Sequence, residues 1–298
     1  MALFPDYRAH IIHCAAAKSH SEVWRLVVGL CVMVGAYFVM TLAYQLVLNE
    51  YVTKYPKFQT ELMSGSTPLA MYALLMGFAL ITLAVFFGVK MVHHRDPQTV
   101  FGPKILAVPQ FFRVLGMLVA LGAVLMVLPP YGMDEPLVPN LPVGRWLLLL
   151  PLSLIAVFVQ ISAEEVFFRG YLQQQLGARF KSPLIWMVLP SALFALGHYQ
   201  PNEAGDNAVL ILLWAGVFGL LMADLTARSG TIGPALAVHF VNNISALLIA
   251  ALPDSLGGLA LWHAPFGMND AAQLRDWLPV DFALMLVSWL AARLALRR

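Results

Sequence analysis

Six polar side chains stand where the surrounding sequence offers them no water. Glu164, Glu165 and Arg169 fall within the apolar segment Val159-Gln-Ile-Ser-Ala-Glu-Glu-Val-Phe-Phe-Arg-Gly-Tyr171. His198 closes the apolar run Phe194-Ala-Leu-Gly-His198, and His239 and Asn243 belong to His239-Phe-Val-Asn-Asn243. A charge at the centre of a bilayer costs roughly 2.5–3.5 kcal/mol or more, so a buried ionisable group marks a working site. A carboxylate and an imidazole can hold a water between them and take its proton. Burial disfavours a charged carboxylate, which suits a base working near neutral pH. An imidazole and an amide one helical turn apart can donate hydrogen bonds to a developing oxyanion. Glu164, His198 and His239 could equally ligate one zinc ion and leave a position for water. The residues alone do not separate the metal-free mechanism from the zinc mechanism.

The spacing assigns faces. Glu165 and Arg169 are four apart and share one face of a helix, so Arg169 pairs with Glu165 and lowers the cost of burying both. Glu164 is rotated about 100° from Glu165 and is left to face other helices. His239 and Asn243 are again four apart, as are Phe194 and His198. At 1.5 Å per residue, Glu164 lies ~18 Å, His198 ~22 Å and His239 ~11 Å from the nearer end of their segments, close enough for the three to meet at one level.

The elements that must carry these residues follow from composition. The chain has 298 residues, 60% hydrophobic and 11% charged, with mean hydropathy +0.76. Soluble domains carry roughly a quarter charged residues, so this is an all-α, polytopic transmembrane helix bundle. About eight apolar stretches are long enough to span: residues 23–48, 68–92, 114–128 with flanks, 146–172, 183–199, 208–227, 232–252 and 279–296. The part upstream of the third, 105–113, holds Pro109 and Arg113 and reads as interfacial. With both termini cytoplasmic, the cytoplasmic side receives most of the Lys and Arg residues, Arg298 included, and the far side only Lys54, Lys57, Arg145 and Arg275. That asymmetry follows the positive-inside rule. The far-side loop 253–278 carries Trp262, Phe266 and Trp277 and is expected along the interface as an aromatic belt. The organisation expected is an N-terminal region of three spans at 1–145, a catalytic core of four spans at 146–252, and a far-side loop with the last span at 253–298. The first apolar run reads as a retained span rather than a cleaved signal. The start Met-Ala-Leu-Phe is no myristoylation signal and the end Ala-Leu-Arg-Arg no prenylation box.

The three motifs resemble the CPBP family, the CAAX protease and bacteriocin-processing (Abi) family of intramembrane glutamate proteases. Its pattern is EExxxR on one helix, FxxxH on the next and HxxxN on a later one. Here these read Glu164-Glu165-Val-Phe-Phe-Arg169, Phe194-Ala-Leu-Gly-His198 and His239-Phe-Val-Asn-Asn243, in order and on separate segments. The resemblance covers roughly residues 146–252 and implies eight spans. It implies an endopeptidase acting on a membrane-embedded or lipidated peptide or protein, the CAAX prenyl endopeptidases among its members. It further implies that Glu164 and His198 activate the water, that His239 and Asn243 stabilise the oxyanion, and that Glu165 and Arg169 support them. Asn242, three residues from His239, is a second amide within reach, and Phe194 is expected to pack beneath the site. Members are often described as metalloproteases, so zinc on Glu164, His198 and His239 stands beside the metal-free reading. A bacterial protein of this kind would sit in the inner (plasma) membrane.

Several features have plainer explanations. A net charge of +2 gives nucleic acid no reason to bind. Cys14 and Cys31 have no metal spacing, and Cys31 reads as a packing residue. His93 and His94 read as a headgroup-facing cluster at a span end, and His10, His13 and His20 as part of a polar leader. Gly216, Gly219 and Ala223 are spaced for close helix packing. No HExxH or GxSxG occurs. The rival reading is a non-catalytic transporter, bacteriocin immunity factor or assembly protein using the same buried polar groups. The sequence sets no oligomeric state.

Overall fold

The computed structural model describes residues 7–128, 135–268 and 270–297. Arg298 and the start Met-Ala-Leu-Phe lie outside the described residues. Ten helices organise the rest: α1 (His10–Cys14), α2 (Val23–Lys54), α3 (Lys57–Ser64), α4 (Pro68–His93), α5 (Lys104–Val127), α6 (Val143–Arg179), α7 (Leu184–Gly197), α8 (Pro201–Ser229), α9 (Gly233–Ile249) and α10 (Ala271–Leu296). The architecture is an all-α helical bundle. Six of these helices, α2, α4, α5, α6, α8 and α10, are long and apolar enough to cross a membrane. They are apolar nearly all round because lipid, not water, faces their outer sides. Val34, Phe38, Val39, Leu46 and Val47 of α2 and Met126 and Val127 of α5 point outward in this way.

The other two apolar helices, α7 and α9, are shorter than the spans expected there. At 1.5 Å per residue they run ~21 Å and ~26 Å, against a hydrocarbon core of about 30 Å. These two short helices carry His198, His239 and Asn243. The third expected span is longer than anticipated: α5 runs without a break from Lys104, so residues 105–113 are helical and not a separate interfacial stretch. Pro109 sits in its second turn and forfeits one backbone bond, which the helix tolerates near its start.

Two apolar clusters meet along α6 and α9. One gathers Met71, Val85, Val89, Ile161, Val166 and Leu236, and the other Leu118, Phe194, Phe218, Met222 and Val238. Phe111 and Phe168 pack against both. The motif residues lie at this seam, where five helices press together. Close approach is built in at Gly219, where a Cβ would stand 3.0 Å from the Ser191 Cβ of α7. The expected packing role of the α8 small residues is therefore realised against α7.

Three expectations need correction. The loop 253–278 is not an interfacial belt: it folds back onto the bundle, with Leu259, Ala260, Leu261 and Phe266 buried. A small sheet fixes it, β1 (Val138–Pro139) pairing antiparallel with β3 (Trp262–His263), which pairs parallel with β2 (Ala250–Ala251). His93 is buried, not headgroup-facing; its Nε2 meets the Tyr171 hydroxyl at 3.0 Å and its Nδ1 the His20 carbonyl at 3.2 Å. His10 and His13 are buried as well, because Tyr7–His20 folds under one end of the bundle. Gly177 makes room for them, since a Cβ there would meet His10 Cε1 at 2.5 Å and Cys14 Sγ at 2.8 Å. Cys31, read as a packing residue, is exposed on the outer face of α2, and it is Cys14 that is buried.

Candidate active site

Helix α6 is α-helical to Glu165 and then turns π-helical from Val166 to Gln173. Such wide turns occur often at functional sites, because they re-aim side chains without ending the helix. Glu165 and Arg169 straddle the change, and Arg169 Nη1 donates to Glu165 Oε1 at 3.0 Å. Their side chains are 0% and 1% exposed, so neither charge has water and each needs the other. Arg169 Nη2 also donates to the Gly219 carbonyl at 3.3 Å, possible because Gly219 brings α8 close. Its guanidinium lies 4.8 Å from the centre of the Phe194 ring, a cation–π contact.

His239 of α9 is gripped by both carboxylates. Its Nδ1 is 2.9 Å from Glu165 Oε1 and its Nε2 is 3.4 Å from Glu164 Oε2. An ionised carboxylate only accepts, so Nδ1–H is the donor to Glu165. Nε2 and Glu164 can attract one another only if a proton lies on one of the two. Glu165 Oε2 is buried with no partner among the described residues, leaving one open acceptor beside the imidazole. The Phe218 ring stands 4.9 Å and the Phe194 ring 6.3 Å from the His239 ring, closing its apolar sides. Glu164 retains 15% exposure where Glu165 has none. Adjacent carboxylates thus have separate surroundings, as their rotation on the helix requires.

His198 is held differently. It follows the last residue of α7 and its Nδ1 meets the Phe194 carbonyl at 2.9 Å. A carbonyl accepts, so Nδ1 carries the proton and Nε2 is the free, accepting nitrogen. The Phe194 ring is 4.4 Å from the His198 ring, so Phe194 lies between the two histidines. Asn243 donates from Nδ2 to Gln160 Oε1 at 2.7 Å, and Asn242 Nδ2 donates to Asn243 Oδ1 at 3.2 Å. Asn243 keeps a second amide proton for another acceptor.

The structure therefore brings Glu164, Glu165, Arg169, His239 and Phe194 into one cluster, with Asn243 and Asn242 one turn further along α9. His198 joins it through Phe194 and makes no direct contact with Glu164. Gln160, absent from the sequence-derived set, orients Asn243. Its signal was available: it lies four residues before Glu164, on the same face of an apolar helix. Asp281, inside α10, was also passed over. Among the described residues no three His, Cys, Asp or Glu side chains stand close enough to share a metal ion. In this arrangement Glu164, His198 and His239 do not fit a zinc ion, because His198 stands apart from the other two.

Known proteins resemble this chain in the same region. Residues 145–245 match the family model described as type II CAAX prenyl endopeptidase Rce1-like. All six motif residues fall inside that match. An uncharacterized protein of Bacillus subtilis (strain 168), YyaK, is 28% identical over 255 residues, covering 81% of this chain and 82% of YyaK. No solved structure matches the chain.

Proposed function

The chain carries an Rce1-like domain at residues 145–245, and from that premise we propose that it is an intramembrane endopeptidase that hydrolyses a peptide bond of a membrane-anchored or lipidated substrate. The observation that carries this reading is the grip of Glu164 and Glu165 on His239. A structural ion pair needs only Glu165 and Arg169. Glu164 adds a second, partly accessible carboxylate that the fold does not need, and an imidazole nitrogen beside it.

The chemistry follows from the geometry. A water about 2.8 Å from both Glu164 Oε2 and His239 Nε2 would sit beside that pair. Glu164 takes a proton from the water as its oxygen attacks the scissile carbonyl carbon. The carbonyl π pair moves onto oxygen, and His239 Nε2–H and the second Asn243 amide proton donate to that oxyanion. On collapse of the tetrahedral intermediate the C–N bond breaks, and the proton held by Glu164 passes to the departing amine. Glu165, held by Arg169, fixes the imidazole through Nδ1. His198 offers Nε2 as a second acceptor for the water. This assignment keeps Glu164 as base and gives His239 and Asn243 the oxyanion.

The test compares peptide termini in membranes from cells expressing the parent chain and the Glu164→Gln variant at equal levels. Termini that depend on the parent chain and vanish with Glu164→Gln support the reading. Identical termini in both would overturn it.

A further inference from the structure

A cavity of about 590 Å³ opens beside the site, bounded by α5, α8, α9, α10 and the folded-back loop. It adjoins the catalytic cluster: Phe218, which packs on the His239 ring, and Asn242, which donates to Asn243, both line it. Its walls are mainly aliphatic and aromatic, and among the described residues Asp281 is the one charged side chain that lines it. No Lys, Arg or His is among the lining residues. Asp281 stands ten residues into α10, ~15 Å along the helix from Ala271, and it accepts a hydrogen bond from Trp277. Trp214 lines the same cavity, and its buried Nε1–H has no partner among the described residues.

A carboxylate at such depth is costly unless it meets an opposite charge. The tryptophan bond supplies a dipole and no charge. We propose that the cavity receives the membrane-embedded segment of the polypeptide substrate, and that Asp281 selects a lysine or arginine within it. The stem of such a side chain matches the apolar wall, and its charged head matches the carboxylate. Trp277 adds an aromatic face suited to a cation, and the Trp214 Nε1–H suits a peptide carbonyl. A basic residue in an apolar segment carries its own burial cost, so each charge offsets that of the other. This inference rests on the endopeptidase reading, because it makes the cavity part of the same substrate path.

The test uses purified full-length protein in bilayers of neutral lipid and measures binding by energy transfer. The probes are synthetic 20-residue Leu/Ala peptides with a central Lys, Leu or Glu, together with dodecylamine. The expected result is that the Lys peptide binds at least tenfold more tightly than the Leu or Glu peptide. Asp281→Asn should abolish that preference, since asparagine keeps an acceptor for Trp277 and removes only the charge. Glu164→Gln, unable to cleave, should bind the Lys peptide like the parent chain, which separates this inference from the catalytic one. Equal binding of the Lys and Leu peptides, or a preference that survives Asp281→Asn, would overturn the proposal. So would tight binding of dodecylamine without binding of the Lys peptide, which would make the cavity a site for small amphiphiles.

Discussion

His239 and His198 are both imidazoles on short apolar helices, yet the fold treats them in opposite ways. His239 is held at both nitrogens by carboxylates from another helix, one of them locked by Arg169. His198 is held at one nitrogen by a carbonyl of its own helix, at the point where that helix ends. Between them lies Phe194, with the Arg169 guanidinium over its face. The lesson concerns rigidity. The α6–α9 region fixes orientation through charges that nothing else can satisfy, whereas the end of α7 leaves one nitrogen free to meet water or substrate. A hydrolytic site needs both kinds of region, one preorganised and one accessible.

The largest expected effect falls on the gripped side. Glu164→Gln keeps size and hydrogen bonding but removes the base, and cleavage should fall by about 10³, within the range for a general base. The measurement is initial rate on a substrate found from the termini comparison, and a loss under tenfold would remove Glu164 from that role. Next is Arg169→Ala, which strands the Glu165 charge in a dry seam. A loss of roughly 3–5 kcal/mol is expected for breaking a buried pair from one side. Thermal unfolding in detergent would check it, and Glu165→Ala combined with Arg169→Ala should be less damaging than Arg169→Ala alone.

On the accessible side, His198→Gln should slow cleavage by about 10² and leave thermal unfolding unchanged, since only a local backbone contact is lost. An unfolding shift as large as that of Arg169→Ala would mean that the two regions do not differ as described.

A smaller effect belongs to the N-terminal segment beneath the bundle. Burial pushes His10 down to about 3, with His13 nearby adding to the shift. Burial likewise pushes His13 down to about 4, against the opposing bond to the Arg169 carbonyl and with help from Arg95. Between those values and 6.5 the unfolded chain binds protons that the folded chain does not. Stability is therefore fully present above about pH 6.5 and lost as pH falls, by about 1.4 kcal/mol per pH unit for each group. His13→Gln should flatten the acid side of a stability–pH curve, and an unchanged slope would contradict this.

Much of the site was legible because its members announce themselves locally. Glu164, Glu165 and Arg169 are charges within a few positions of one another in an apolar run, and spacing alone paired Glu165 with Arg169. The bundle was legible for the same reason, since hydropathy records what each segment meets. The rest depends on partners far away in sequence. His93 looked like a span-end group until Tyr171 came to meet it. His13 looked like leader until its Nε2 reached the Arg169 carbonyl. Gln173, Gln174 and Gln175 are consecutive and all buried, which no single helical face permits. They are satisfied because α6 is enclosed there, with bonds to the Ala223, His13 and His20 carbonyls. Asp281 escaped notice because a lone carboxylate among apolar residues carries no motif. The lengths of α7 and α9 were overestimated because hydropathy continues past the point where the backbone stops being helical.

The central claim is that Glu164 and His239 act as one unit. It is tested most directly by single-turnover cleavage with Glu164→Gln, His239→Gln and the double variant. If they share one proton-handling step, either substitution should abolish nearly all that the pair contributes, and the double variant should be no slower than the worse single. Losses that multiply in the double variant would show two independent groups and contradict the account.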